Sequence, residues 1–135
     1  MIDALTYYRT KLELETDASD AYAAVKAGES LVIVDVRSDE AWRQGHVAGA
    51  IHMPYREVAE RAPREIDPGV RVVVYCWSPG CNAGAKGAVE FAALGYRVKE
   101  MIGGYEYWVR EGYPTENESG PLPRTFDPLV MYVRP

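Results

Sequence analysis

The chain has few cysteines, no long apolar run and no excess of positive charge. Only two cysteines occur among 135 residues, which argues against a disulfide-rich scaffold and predicts a reducing, cytoplasmic location. No apolar run approaches the roughly 20 residues that a membrane-spanning helix needs, so we expect no membrane partner. The formal net charge is −5, whereas a nucleic-acid-binding domain would need a basic patch. The 47% of hydrophobic residues predict one globular domain.

One cysteine lies where a predicted strand meets a predicted helix. The run from Val72 to Tyr75 is typical of a buried strand, Cys76 follows it, and a helix is predicted over residues 85–94. Between them, Trp77-Ser78-Pro79-Gly80-Cys81-Asn82 is typical of a turn. The thiolate is the reactive form of cysteine, and the N-terminus of a helix stabilises a nearby anion. The sequence therefore favours Cys76 as a nucleophile, and the alternative is a small apolar residue that fills the sheet edge.

Strands and helices are predicted to alternate along the chain. The predicted elements are an edge strand at 11–15, a helix over 18–27, a strand at 31–34, a short helix capped by Ser38, a strand at 50–53, a helix opened by Pro54, strands at 70–75 and 98–102, and a last helix after Gly103. This alternation predicts an α/β fold with a parallel sheet covered by helices on both faces. In such sheets the functional residues lie at the carboxyl ends of the strands. Asp35, Cys76 and Gly103 all lie at such ends in the predicted order.

The C-terminal residues 116–135 differ in composition from the rest of the chain. Residues 116–123 are polar and rich in turn formers, whereas Leu129 to Val133 form an apolar run. A disordered tail would rarely be so apolar. We expect an extension that packs on the domain or on a partner subunit, which leaves a homodimer open.

Four motifs in order resemble the rhodanese-like domain. They are Asp35-Val36-Arg37, the segment Gly45 to Pro54, Tyr75-Cys76, and Gly103-Gly104-Tyr105-Glu106-Tyr107-Trp108 with Gly112-Tyr113-Pro114. The likeness covers residues 14–115. It implies a three-layer fold with a five-stranded parallel sheet, and an active cysteine in the loop after the central strand.

The resemblance also implies a sulfurtransferase. Members of the family take a sulfane sulfur from a donor such as thiosulfate or a persulfide, hold it as a cysteine persulfide, and pass it to a thiol or another acceptor. Carried onto this chain, the nucleophile is Cys76. The loop residues Trp77, Ser78, Pro79, Gly80, Cys81 and Asn82 would bind the persulfide or the incoming anion through the backbone N–H groups that the loop offers. The donor and acceptor are a small molecule or a protein, and no cofactor or metal is implied. A non-catalytic rhodanese-like binding module is the alternative.

The active loop departs from the commonest family pattern in its second half. That pattern often has an arginine near the end of the loop, where this chain has Cys81 or Asn82. Lys86 is the nearest cation in sequence, so thiosulfate is expected to be a poor donor. Related phosphatases and arsenate reductases bind their oxyanion through an arginine, and none occurs between Cys76 and Arg97.

Several residues besides Cys76 could have a functional or a structural role. Cys81 either resolves the Cys76 persulfide through a disulfide or relays the sulfur onward, or it merely occupies a loop position. A zinc site from both cysteines, His46 and His52 would need ligands from separate loops, so we favour an architectural role for His46.

Asp35 and Arg37 are expected to form a structural ion pair. The residues Tyr105, Trp108 and Val109 have helical spacing and are expected to belong to the core.

Overall fold

The computed structural model describes residues 1–132, and its centre is a sheet of five parallel strands. The strands lie in the order β1 (Glu15–Thr16), β6 (Val98–Met101), β5 (Arg71–Tyr75), β2 (Leu31–Asp35) and β4 (Ile51–His52). Every pairing between them is parallel. The predicted α/β fold is confirmed, and the strand that precedes Cys76 is the central one.

Residues 1–132 contain six α-helices. They are α1 (Ala4–Leu14), α2 (Ala18–Lys26), α3 (Asp39–Gln44), α4 (Val58–Glu65), α5 (Ala83–Ala93) and α6 (Gly104–Arg110), with a 3-10 turn at Tyr55–Glu57. No helix within residues 1–132 combines the length and the apolar character that a membrane span requires.

Alternate residues of the central strand enter two separate cores. Val72 and Val74 pack with Phe91 of α5 in one cluster. Val73 and Tyr75 pack with Trp108 of α6 in the other. Because side chains alternate across a strand, β5 is buried on both faces. Its end is therefore fixed between α5 on one side and α6 on the other.

The N-terminal segment is helical, so the predicted edge strand at 11–15 is wrong except at its last residue. Asp3 caps α1 by accepting a hydrogen bond from the Thr6 N–H at 2.8 Å. Lys11 pairs with Glu15 four residues later at 2.9 Å. Two leucines alternating with charged residues fit a helix as well as a strand, and neither leucine is buried here. The cap and the ion pair decide in favour of the helix.

A second, antiparallel sheet joins the C-terminal segment to the domain. It contains β3 (His46–Val47), β7 (Thr115–Asn117) and β8 (Gly120–Pro121), in that order. Strand β7 crosses the predicted domain boundary at 115/116. Further along, Asp127 forms an ion pair with Arg110 of α6, and Met131 packs against the α2–α6 core. The apolar run ends at Val133, which lies outside the described residues, and the extension's role stays a prediction.

Candidate functional site

The loop that begins at Cys76 is hydrogen-bonded to the N-terminus of α6. Cys76 directly follows β5, and the residue is only 5% exposed. Its carbonyl oxygen accepts a hydrogen bond from the Tyr105 N–H at 2.8 Å, and the Trp77 carbonyl accepts one from the Glu106 N–H at 2.8 Å. Helix N-termini have unpaired N–H groups, and here the loop satisfies two of them. The first half of the loop is thereby fixed to the domain.

This contact requires a glycine at position 104. Gly104 has φ +64°, and a Cβ atom there would lie 2.7 Å from the Cys76 carbonyl oxygen and 2.9 Å from the Ser78 nitrogen. Both neighbours are backbone atoms, which cannot rotate away. Only a glycine lets α6 approach the loop closely enough to donate to its carbonyls.

A buried ion pair lies beneath the same half of the loop. Arg37 donates to Asp35 through Nε and Nη2, at 2.7 Å for the shortest bond. Tyr75 donates its hydroxyl to Asp35 at 2.6 Å. Burial raises the pKa of Tyr75 well above its ordinary value, and the Asp35 carboxylate raises it further, so the hydroxyl stays a donor. The structural role expected for Asp35 and Arg37 matches these contacts.

Arg37 also supports Trp77, the residue after the cysteine. Its guanidinium lies 4.3 Å from the centre of the Trp77 ring and 4.5 Å from that of Tyr105. Nη1 is buried without a hydrogen-bond partner among the described residues, and the guanidinium as a whole gains cation–π contacts with these two rings. Helical spacing alone predicts a core position for Tyr105, and only the fold shows that this residue is half-buried beside the loop that begins at Cys76.

The second half of the loop folds back on the first. The Cys81 N–H donates to the Ser78 carbonyl at 3.0 Å, and the Gly80 N–H donates to Ser78 Oγ at 3.3 Å. Cys76 and Cys81 are joined by a disulfide with a Cα–Cα distance of 6.3 Å. This bond links neighbours within one loop rather than distant elements, so it does not make the domain a disulfide scaffold.

The turn limits which N–H groups could bind a sulfur anion. Pro79 has no N–H group, and those of Gly80 and Cys81 are engaged within the loop. The N–H groups of Trp77, Ser78 and Asn82 have no acceptor in the described part of the chain. A cradle that uses these groups stays a prediction.

A cavity of about 250 Å³ opens beside the two cysteines. Among its lining residues are Cys76, Cys81 and Gly104, together with two carboxylates, Glu15 and Glu100. Glu15 and Glu100 are register partners on β1 and β6, so their side chains lie on one face of the sheet. Burial raises the pKa of Glu100, Glu15 raises it further, and Lys11 lowers it. No arginine, lysine or histidine is among the described residues that line the cavity.

Neither carboxylate is among the site residues that the sequence predicts. Glu15 falls at the end of a predicted strand that forms only at its last residue, and the sequence does not reveal the register between β1 and β6. Glu100 lies in a predicted strand, where a charged residue among apolar ones is a usable signal. A larger cavity of about 640 Å³ lies between α1, α2 and the amino ends of the strands, and neither cysteine lines it.

The two histidines pack against Trp42 rather than approach the cysteines. The His46 ring is stacked 3.3 Å from the Trp42 ring, and His52 is stacked on it at 4.8 Å. Within residues 1–132, no group of three or more His, Cys, Asp or Glu side chains could hold a metal ion. The four ligands considered for zinc therefore do not converge.

The chain is similar in sequence and structure to known proteins. A family model for the rhodanese-like domain matches residues 17–111. The thiosulfate sulfurtransferase GlpE of Pseudomonas entomophila (strain L48) is 31% identical over 103 residues, which cover 76% of this chain and 91% of that protein. The crystal structure of BH2092 from Bacillus halodurans has a TM-score of 0.81 at 40% identity, covering 87% and 86% of the two chains. A rhodanese-like domain from Anabaena sp. Alr3790 has a TM-score of 0.71 at 27% identity, covering 78% and 80%.

Proposed function

The chain belongs to the rhodanese-like domain family, and on that premise we propose that it is a sulfurtransferase that carries a sulfane sulfur as a persulfide on Cys76. The observation that carries the proposal is the position of this cysteine. It follows the central strand, its carbonyl is fixed by α6, and it lines a cavity large enough for a small sulfur donor. Relatives named thiosulfate sulfurtransferase support the reaction class.

Two thiol-exchange steps make up the proposed reaction. The Cys76 thiolate attacks the sulfane sulfur of the donor, the donor's sulfur–sulfur bond breaks, and the rest of the donor leaves with the electron pair. An acceptor thiolate then attacks the outer sulfur of the persulfide, and Cys76 leaves as a thiolate. The disulfide form cannot begin this cycle, so Cys76 must first be reduced.

The charge of the cavity favours a thiol persulfide over thiosulfate as donor. Thiosulfate carries two negative charges, and the cavity presents Glu15 and Glu100 with no cation among its described lining residues. Like charges that share a partly desolvated site repel each other. Although several relatives are named for thiosulfate, we propose a persulfide of a small molecule or a protein as the donor. The acceptor is a thiol, and a cytoplasmic location stays a prediction from cysteine usage.

The proposal is tested best in a variant that keeps only one thiol. Reduced Cys81→Ser protein is freed of reductant, treated with cysteine persulfide or with thiosulfate, and measured as intact mass. We expect Cys81→Ser to gain one sulfur atom, more readily from cysteine persulfide, and to lose it to an added thiol. Cys76→Ser is the matched control and should gain none. If folded Cys81→Ser takes sulfur from neither donor, the chain is a binding module instead.

A further inference from the structure

The active loop is already folded so that a second thiol reaches the proposed sulfur carrier. Cys81 lies five residues after Cys76, and the hydrogen bonds to Ser78 close the turn between them. The atom that Cys81 contacts is Sγ of Cys76. In a Cys76 persulfide, that atom is the inner sulfur. A thiolate that attacks the inner sulfur displaces the outer one instead of receiving it.

We propose that, when no acceptor thiol takes the outer sulfur, Cys81 discharges the Cys76 persulfide as hydrosulfide and leaves the loop in the disulfide form. This inference rests on the proposed function. The Cys81 thiol loses its proton and attacks Cys76 Sγ, a Cys76–Cys81 bond forms, and the bond to the outer sulfur breaks. The outer sulfur leaves with the electron pair as hydrosulfide and takes up the proton. The two cysteines are oxidised to a disulfide, and the sulfane sulfur is reduced.

The exposure of the two cysteines determines which of them an external thiol attacks when the disulfide is reduced. Cys76 is buried at 5% exposure, whereas Cys81 is half-buried at the open side of the loop. An external thiolate therefore attacks Cys81 and forms a mixed disulfide there, with the Cys76 thiolate as leaving group. The co-reactant is a dithiol reductant, whose second thiol then releases Cys81 and leaves the reductant as a disulfide. One cycle consumes one sulfane sulfur and one dithiol, and it yields one hydrosulfide.

The two halves of the loop are held differently, and this difference suits a cycle in which the disulfide forms and breaks. The Cys76 half is bonded to α6 through two carbonyls, and Gly104 packs against its backbone. The Cys81 half bonds within the loop and at the start of α5, where the Lys86 N–H donates to the Asn82 carbonyl at 3.1 Å. Cys76 can thus keep its position in the thiol, persulfide and disulfide forms, while Cys81 makes and breaks the bond.

Single-turnover reaction of the reduced protein tests the inference. Wild type, Cys81→Ser and Cys76→Ser are reduced, freed of reductant and mixed with one equivalent of cysteine persulfide without oxygen. Intact mass and released hydrosulfide are followed with time. We expect wild type to become two hydrogen atoms lighter with about one equivalent of hydrosulfide released. Its persulfide should decay at least about tenfold faster than that of Cys81→Ser, because an intramolecular thiol has a high effective concentration. Cys76→Ser should form neither species.

Two controls and one comparison keep this result separate from the proposed function. Reduced wild type without donor measures direct oxidation, and a disulfide formed without hydrosulfide would overturn the inference. A wild-type persulfide as stable as that of Cys81→Ser would also overturn it, while sulfur uptake by both proteins would leave the sulfurtransferase proposal intact. Cys81→Ala, checked by circular dichroism, repeats the comparison if the serine variant does not fold.

Discussion

Two sets of charged side chains flank the loop that begins at Cys76. One set is a pair of opposite charges, and the other is a pair of like charges. On one side, Arg37 and Asp35 form a buried ion pair that also binds the Tyr75 hydroxyl. On the other side, Glu15 and Glu100 have the same charge and are neighbours in register. Glu15 has an ion pair with Lys11, whereas Glu100 has no hydrogen bond or ion pair in the described part of the chain.

We expect the two sets to have different roles: the ion pair stabilises the loop, and the two carboxylates influence which ligand enters the cavity. Removing one partner of a buried ion pair leaves the other charge buried and uncompensated, so we expect the first set to matter for stability. A carboxylate at a cavity wall repels an anion that enters the cavity, so we expect the second set to affect which sulfur donor is preferred. The first set should therefore respond to mutation in stability, and the second in donor preference.

Replacement of Arg37 should have the largest effect on stability. Arg37→Gln leaves Asp35 buried without its cation, and we expect the free energy of unfolding to fall by about 3–5 kcal/mol. Urea unfolding measures this loss. Arg43→Gln, a matched change at an exposed position of α3, should cost no more than about 0.5 kcal/mol. Similar losses in the two variants would contradict the structural role of the buried pair.

Gly104→Ala tests how closely α6 must approach the loop. Its Cβ would meet backbone atoms of Cys76 and Ser78, and we expect a loss of about 2–3 kcal/mol together with slower alkylation of reduced Cys76. Gly28→Ala is the matched control, because Gly28 has φ +73° but nothing within 4 Å of an added Cβ. It should show only the conformational cost, about 1 kcal/mol. Equal losses would mean that the close approach is unimportant.

Glu100→Gln tests the like-charged side of the comparison. Removing one negative charge from the cavity should raise kcat/KM for thiosulfate about 3–10-fold, and the gain should shrink at high salt. The value for a donor of lower charge, such as cysteine persulfide, should change less. Glu118→Gln makes the same charge change at an exposed turn outside the cavity. A gain of equal size in that control would assign the effect to net charge instead.

The smallest expected effect is a pH-dependent change in stability at Glu100. The pKa of this carboxyl is raised from its ordinary value of 4.5 by burial and by Glu15. The folded state therefore holds a proton that the unfolded state has lost, and stability falls as pH rises from 4.5 through the folded pKa. At neutral pH, Glu100→Gln should melt about 1–2 °C above wild type, with the difference lost below pH 4.5. A difference that is independent of pH would contradict this origin.

Much of the site could be predicted from the sequence because it depends on short segments. The apolar run before Cys76, the turn formers after it and the helical stretch beyond determine the strand, loop and helix locally. Asp35 and Arg37 lie two residues apart at the end of another apolar strand, so their pairing was also accessible. The N-terminal helix could not be predicted in this way, because two leucines that alternate with charged residues fit the period of a strand as well as that of a helix, and both leucines are exposed.

The amino-acid sequence was enough to predict the parallel α/β fold, the position of Cys76 at the end of the central strand, and the family. Tertiary structure alone decided that Glu100 and Glu15 share the cavity with Cys76, that Tyr105 and Arg37 support Trp77, and that Gly104 admits α6 against the loop. Local patterns record which face of an element is apolar. Strand register and helix approach bring together residues that lie far apart in the sequence. Glu15 and Glu100, for example, are 85 positions apart, and no local pattern predicts that they meet.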